Sequence, residues 1–333
     1  KELLSSQDQH ESEINFNKYG VCNILGFIWN SSDDQLKYQF RVNPVQSQDL
    51  VTKRSILSTI ASIFDPLGLI NPIIVKFKIL LQIIWSYKLE WDQPVPEDVR
   101  AMWEKLIIGL PELNQFRIPR KVISSVDQGS MFEIHGFADA SIKAYGACVY
   151  IRTINSTQEI SVKLLCAKSH VAPLKTVSLP RLELNAAVLL VELVVKVSQI
   201  LNIPIQKRFL WTDSSIVLSW IAESPHNWKQ YIANRVAKIQ SHTSYEEWNH
   251  VRSNDNPADV VSRGAFPEQL RTSKLWWFGP QWLTTSSQHW PETQFQPRSD
   301  LVEERRPQVI NLIKTESEYQ YLQNILRFTN YSE

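Results

Sequence analysis

Four acidic residues stand where a carboxylate could do chemistry: Asp139 in HGFADAS, Glu183 in SLPRLEL, Asp213 in FLWTDSS and Asp259 in NPADVV. Three of them have adequate structural explanations. Asp139 closes an apolar run and suits a turn, and Asp213 stands where a helix cap is wanted. Asn256 suits an N-cap and Pro257 a first helical position, which leaves Asp259 at the third position of a capping box. Glu183 is different. On a helix, Asn185, Glu192, Lys196 and Gln199 fall within about 60° of one another as one polar stripe. Glu183 projects opposite that stripe, with Ala187, Leu190, Val194, Val197 and Leu201, on the face that should press against a sheet. A carboxylate there is costly unless it is paired, protonated or bound to a metal. The nearest cation, Arg181, projects onto the polar stripe.

Strand ends that deliver Asp139 and Asp213, beside a helix whose first turn points Glu183 inward, bring three carboxylates to one edge of a sheet. Ligation by oxygen alone, without His or Cys, selects Mg²⁺ or Mn²⁺. Two such ions about 4 Å apart would clamp a phosphodiester for in-line attack by water.

The elements that must hold these residues are legible in the hydrophobic periodicity. Residues 21–42 read as two strands, VCNILGFIW and QLKYQFRV, around a polar turn at Asn30 to Asp34. Ile56, Ile60, Ile63 and Phe64 recur at helical spacing up to Asp65-Pro66-Leu67-Gly68, and further helices are expected over about 72–89 and 96–110. After Ile118-Pro119-Arg120 come three β-rich runs, 131–138, 145–152 and 160–169, which imply an antiparallel meander. A long helix over 180–201 follows, then a strand at 208–212, helices at 214–222 and 229–242, a strand at 248–252 and a last helix at Pro257. This order predicts an α/β (α+β) mixed sheet with helices on its faces.

Composition sets outer limits. The chain has 333 residues, with 35 Lys plus Arg against 34 Asp plus Glu. No global basic field draws in nucleic acid, so such a partner needs local patches. Cys22, Cys148 and Cys166 form no C-x-x-C pair, which favours a reducing compartment over a zinc knuckle or a disulfide framework. The apolar stretch 67–85 is interrupted by Asn71, Pro72, Lys76, Lys78 and Gln82, so no membrane span is expected. The start at Lys1 suggests a piece of a longer polypeptide.

FADAS, SLPRLEL, WTDSSIVLSWI, NRVAKIQ and NPADVVSRG, in that order, resemble the ribonuclease H domain of the Pol polyprotein of Bel/Pao-type LTR retrotransposons. TKRSILSTIASIFDPLGLINP upstream and LWWFGPQWL downstream resemble the flanks of the same family. The resemblance implies a ribonuclease H-like mixed five-stranded sheet over 126–265, preceded by the end of a reverse transcriptase palm with its hairpin (1–50) and a small helical thumb/connection-like region (51–125). A Trp-rich linker and helix leading toward integrase would occupy 266–333. It implies that Asp139, Glu183, Asp213 and Asp259 are the catalytic, metal-binding acids, holding two Mg²⁺ or Mn²⁺ ions. The implied activity is hydrolysis of the RNA strand of RNA/DNA hybrids. The implied partners are such a hybrid and the rest of the Pol polyprotein, in the cytoplasm (a virus-like particle) or the nucleus.

The palm Tyr-x-Asp-Asp and the integrase zinc ligands are missing, so polymerisation and integration are not expected here. Many ribonucleases H carry a His in the loop before the last acid. Here His250 falls in a predicted strand and Asn254 or Asp255 takes the loop, so His250 reads as structural. A catalytically decayed fragment acting only as a binding or structural module is the alternative. A Pao-type aspartic peptidase would need Asp-Thr/Ser-Gly loops, and none occurs.

Nucleic-acid contacts are expected from the helix after Lys229, where Arg235 and Lys238 share a face. A second group, Lys168 and Lys175 with Lys163 and Arg181, lies between the third strand and the Glu183 helix. The Trp-rich stretch 276–290 could stack bases, but a Trp cluster with Gly and Pro more often packs a linker onto its domain.

Overall fold

The computed structural model describes residues 21–24, 27–40, 50–123, 129–291 and 304–306. A small antiparallel sheet opens the described chain: β1 (Val21–Ile24), β2 (Phe27–Asn30) and β3 (Gln35–Tyr38). Ile24 stands opposite Phe27, so the run VCNILGFIW is itself a hairpin and not the single strand expected from its apolar content. The helical block follows as α1 (Lys53–Ala61), α2 (Asn71–Ser86) and α3 (Glu97–Gly109), and β4 (Ile118–Pro119) then pairs with β3. Asp65 ties the sheet to the helices. Its carboxylate accepts from the Tyr38 hydroxyl (2.9 Å) and from the Leu69 and Ile70 amides (2.9 and 3.0 Å). Burial nevertheless pushes this carboxyl up to about 6.

The mixed five-stranded sheet is built from β5 (Met131–Ala140), β6 (Ala144–Ile154) and β7 (Ile160–Val171), then α4 (Leu179–Ile200) and β8 (Ile205–Thr212). Helices α5 (Ser215–Ala222) and α6 (Gln230–Gln240), strand β9 (Trp248–His250) and helix α7 (Ala258–Arg263) complete the unit. Helices α8 (Pro267–Thr272) and α9 (Lys274–Phe278) extend it. The strand order is β7-β6-β5-β8-β9, antiparallel through the meander and parallel from β5 to β8 to β9.

Alternation along the strands assigns each residue a face. Ile134, Ala138, Ala147, Val149 and Leu210 pack against α4, α5 and α6. Phe137, Cys148, Tyr150 and Trp211 take the other face. Two glycines set how closely helices approach. A Cβ on Gly136 would stand 2.5 Å from Leu190 of α4, and one on Gly146 would stand 2.3 Å from Val261 of α7. Both helices that carry carboxylates can therefore lie directly on the strands.

The second face is covered from two sides. Ile56, Leu69, Ile70, Phe77 and Trp103 of the helical block share one core with Phe137, Tyr150 and Trp211 of the sheet and Trp276 beyond it. The described part of the Trp-rich stretch packs against the sheet and the helical block. The Trp276 indole donates to the Leu69 carbonyl (2.9 Å), and the Tyr150 hydroxyl donates to the Trp276 carbonyl (2.7 Å). Buried Arg152 donates to the carbonyls of Leu283 and Thr285 (both 2.8 Å) while pairing with Glu133 (2.7 Å). Trp282 and Trp290 close over Trp211 and over buried His135. The helix-like stretch from Leu301 lies, apart from 304–306, outside the described residues.

This packing makes a quantitative expectation. Trp276 is fully buried and bridges the helical block to the sheet. Trp276→Ala should cost about 3–5 kcal/mol in a denaturant titration. A loss under about 1 kcal/mol would mean that the two halves do not depend on this contact.

Candidate active site

Asp139 is the next-to-last residue of β5, opposite Gly146, and it is buried beneath α7. The Ser262 hydroxyl of α7 donates to its Oδ2. Burial, then the Asp213 charge, push the Asp139 carboxyl up to about 7, and Asp259 adds to the same direction. Asp213 follows the last residue of β8, the strand that runs parallel to β5 with Ala138 beside Thr212. The Ser253 hydroxyl donates to Asp213 Oδ2 (2.6 Å), and Asn256 Nδ2 lies 3.5 Å from Oδ1.

Glu183 occupies the first turns of α4, a helix started by Ser178 and Pro180. The neighbours projected for it are in place, with Ala187, Leu190 and Val194 buried. Among the described residues no arginine meets it. Arg181 reaches instead to Glu304, donating from Nε and Nη2 (3.0 and 2.9 Å). Burial raises the Glu183 carboxyl above the usual glutamate range and the Asp213 charge adds to this, while a hydrogen bond to Ser214 opposes both. Asp259 stands in the first turn of α7 and pairs with Arg263 one turn on (2.5 Å). Burial raises this carboxyl; Arg263 opposes the shift and Asp213 adds to it.

Asp213 is therefore the hub, since its charge disfavours ionisation at each of the other three acids. The four come from a strand, a helix, a strand end and a second helix, and they meet at the edge where β5 and β8 finish. As placed, no three His, Cys, Asp or Glu side chains among the described residues converge closely enough to hold one metal ion. The donor set still fits a hard divalent cation in kind. It is made of oxygen only, and its excess negative charge is of the sort that a cation relieves.

Several contributors to this edge escape a reading of the sequence. Ser262, on the turn of α7 after Asp259, holds Asp139. α7 begins at Ala258 with Pro257 at its N-cap and without the expected capping box; Asn256, fully buried just before it, accepts from the Ala258 amide (3.1 Å) and donates to the Ala138 carbonyl (3.1 Å), tying α7 to β5. The capping signature N-P-A-D was the only trace of it. His250 lies in β9 as expected, yet it is not remote. Its Nε2 donates to the Asp213 carbonyl (3.2 Å) and fixes the strand end that presents the carboxylate.

The basic residues singled out are scattered. Lys168 on β7 and Lys175 after it are exposed, as is Lys229 at the start of α6. Arg235 donates to Asn185 Oδ1 (2.5 Å) and stacks on Tyr231, and Lys238 pairs with Glu192. The polar stripe of α4 thus meets the basic face of α6 instead of solvent.

Residues 52–214 match the model of the Pao retrotransposon-like RNaseH-like domain, a span that includes Asp139, Glu183 and Asp213 and begins in the helical block. No curated protein matches the chain. Among solved structures it is similar to the N-terminal RNase H domain of a Mycobacterium tuberculosis protein fused to maltose binding protein. Identity is 13% and the TM-score 0.26, covering 39% of this chain and 95% of that one. It is also similar to RNase H1 from the halophilic archaeon Halobacterium salinarum NRC-1, at 11% identity and a TM-score of 0.27, covering 39% and 93%. A foamy viral protease-reverse transcriptase in complex with dsDNA is similar at 16% identity and a TM-score of 0.22, covering 71% of this chain and 45% of that one.

Proposed function

We propose that the chain is a retroelement nuclease that hydrolyses the RNA strand of RNA/DNA hybrids with two divalent ions, as part of a Pol polyprotein, a reading supported by the match of residues 52–214 to the model of the Pao retrotransposon-like RNaseH-like domain. The observation that carries this reading is the electrostatic hub at Asp213, which links Asp139, Glu183 and Asp259 across four elements. Capping or a turn explains Asp139, Asp213 or Asp259 taken singly, but not Glu183 and not the coupling of all four.

In this reading Asp139, Glu183, Asp213 and Asp259 are the residues that would hold the ions. Bound Mg²⁺ or Mn²⁺ supplies charge stabilisation at the phosphate and a water of lowered pKa. The chain's own part is placement. Ser262 orients Asp139, and Ser253 and His250 orient Asp213. Cleavage would take place where reverse transcription leaves hybrids, in a cytoplasmic particle or the nucleus.

A labelled RNA/DNA hybrid incubated with the full chain tests this. Cleavage of the RNA strand in Mg²⁺, abolished by EDTA, is expected. Binding without cleavage in either Mg²⁺ or Mn²⁺ would favour a module that only binds.

A further inference from the structure

Three lysines from separate elements gather at the far end of α7 from Asp259. Lys76 of α2 and Lys105 of α3 hold their ammonium groups over the same ring, Phe266, at 4.5 and 5.1 Å from its centroid. Lys143 stands exposed in the turn between β5 and β6. Burial first, then the charges of Lys105 and Lys143, hold Lys76 below the usual lysine range, and among the described residues no carboxylate opposes them. Several other cations of the chain are neutralised by carboxylates, as in Arg181 with Glu304, Arg208 with Glu247, Lys238 with Glu192 and Arg305 with Glu223. Among the described residues none of the three lysines has such a partner. One aromatic face offsets part of the repulsion between two ammoniums, and the remainder favours an incoming anion.

The position of this cluster says which anion. The turn bearing Lys143 is fastened to α7, because the Ser141 hydroxyl donates to the Ser262 carbonyl (2.8 Å). Gly264, directly after α7, lies so close to α2 that a Cβ there would stand 2.8 Å from Lys76 Cγ. Six residues of α7 span about 9 Å, and strand phosphates of a duplex recur about every 3.4 Å along its axis. One backbone segment can therefore meet the carboxylate edge and the lysines together.

We propose that Lys76, Lys105 and Lys143 form a phosphate-binding site for the backbone of a nucleic-acid duplex, through which the helical block grips the strand that runs past the carboxylates. The choice of nucleic acid over another polyanion rests on the nuclease reading. The site itself rests on the geometry of Lys76 and Lys105 around Phe266 and on the Lys143 turn fastened to α7.

The test uses the full chain and a fluorescent RNA/DNA hybrid, with binding measured in EDTA over a salt series. The triple variant K76Q/K105Q/K143Q should bind about ten-fold or more weakly near 0.1 M salt, and the log–log salt slope should shrink by about 2 to 3. A control of equal charge change, K121Q/K196Q/K207Q, should stay near wild type. Arginine at the three cluster positions should preserve affinity. Wild-type affinity and slope in the glutamine variant would overturn the proposal. So would an equal loss in the control, which would indicate only a general field, or a loss in the arginine variant, which would indicate packing. Cleavage in Mg²⁺ by the same preparations separates the two readings. Cleavage with unaltered binding in the glutamine variant removes the lysine site and leaves the nuclease. Weakened binding in that variant with no cleavage by wild type does the reverse.

Discussion

Asp139→Asn is expected to lower hybrid cleavage about 10³-fold or more while the fold survives. Asparagine keeps the volume of the side chain and an oxygen to accept the Ser262 hydroxyl, so α7 stays seated on β5. What disappears is the charge. Asp139 sits between Asp213 and Asp259 electrostatically, and in the absence of an ion burial and Asp213 hold its carboxyl near 7. The wild-type side chain therefore does not support the metal-free fold as an anion, and its neutral replacement should unfold no earlier in EDTA. Circular dichroism and a hybrid-cleavage time course on the same preparation check both halves. Retained cleavage with intact structure would remove Asp139 from the site.

How much of this edge was readable depended on whether its signal was periodic or tertiary. Glu183 was readable because a charged residue on the apolar stripe of a 22-residue helix violates amphipathicity, and the helix is long enough to fix the phase. The strands of the meander were readable from alternation, which also assigns Phe137 and Ala138 to opposite faces. The hairpin within VCNILGFIW was not, because a run of apolar and β-branched residues satisfies one long strand as well as two short ones. Ser262 and Asn256 were invisible as site residues for another reason. Their local roles, a helical serine and a turn residue ahead of a helix, are complete without reference to Asp139 or Ala138, which lie more than a hundred residues away in sequence.

The basic face of α6 shows the same limit from the other side. Arg235 and Lys238 share a face at helical spacing, as projected, but that face meets Asn185 and Glu192 on the stripe of α4 that a single-helix projection assigns to solvent. Two amphipathic helices each present a polar side, and only packing shows that those sides meet. The lysines around Phe266 arise in the opposite way. No segment of the sequence is rich in basic residues there, because α2, α3 and the β5–β6 turn contribute one each.

Glu183→Gln separates a metal-binding role from a packing role, because the two predict opposite stability effects. Among the described residues Glu183 has no arginine: Arg181, its nearest cation in sequence, is committed to Glu304. Its carboxylate is partly buried, faces the Asp213 charge and has only the Ser214 hydrogen bond in its favour, so the fold raises its pKa. For an acid shifted upward, folding favours the protonated form, and stability falls as pH rises through the folded-state pKa. The glutamine variant does not pay this electrostatic cost and can keep the contact with Ser214. In EDTA it should match wild type below about pH 4, where both side chains are neutral. At neutral pH it should be equal or more stable by about 1 kcal/mol. Cleavage in Mg²⁺ should be abolished across the whole range. A loss of about 3–5 kcal/mol in the variant would instead mean that Glu183 neutralises a buried cation, and the metal-binding assignment of this residue would fall with it.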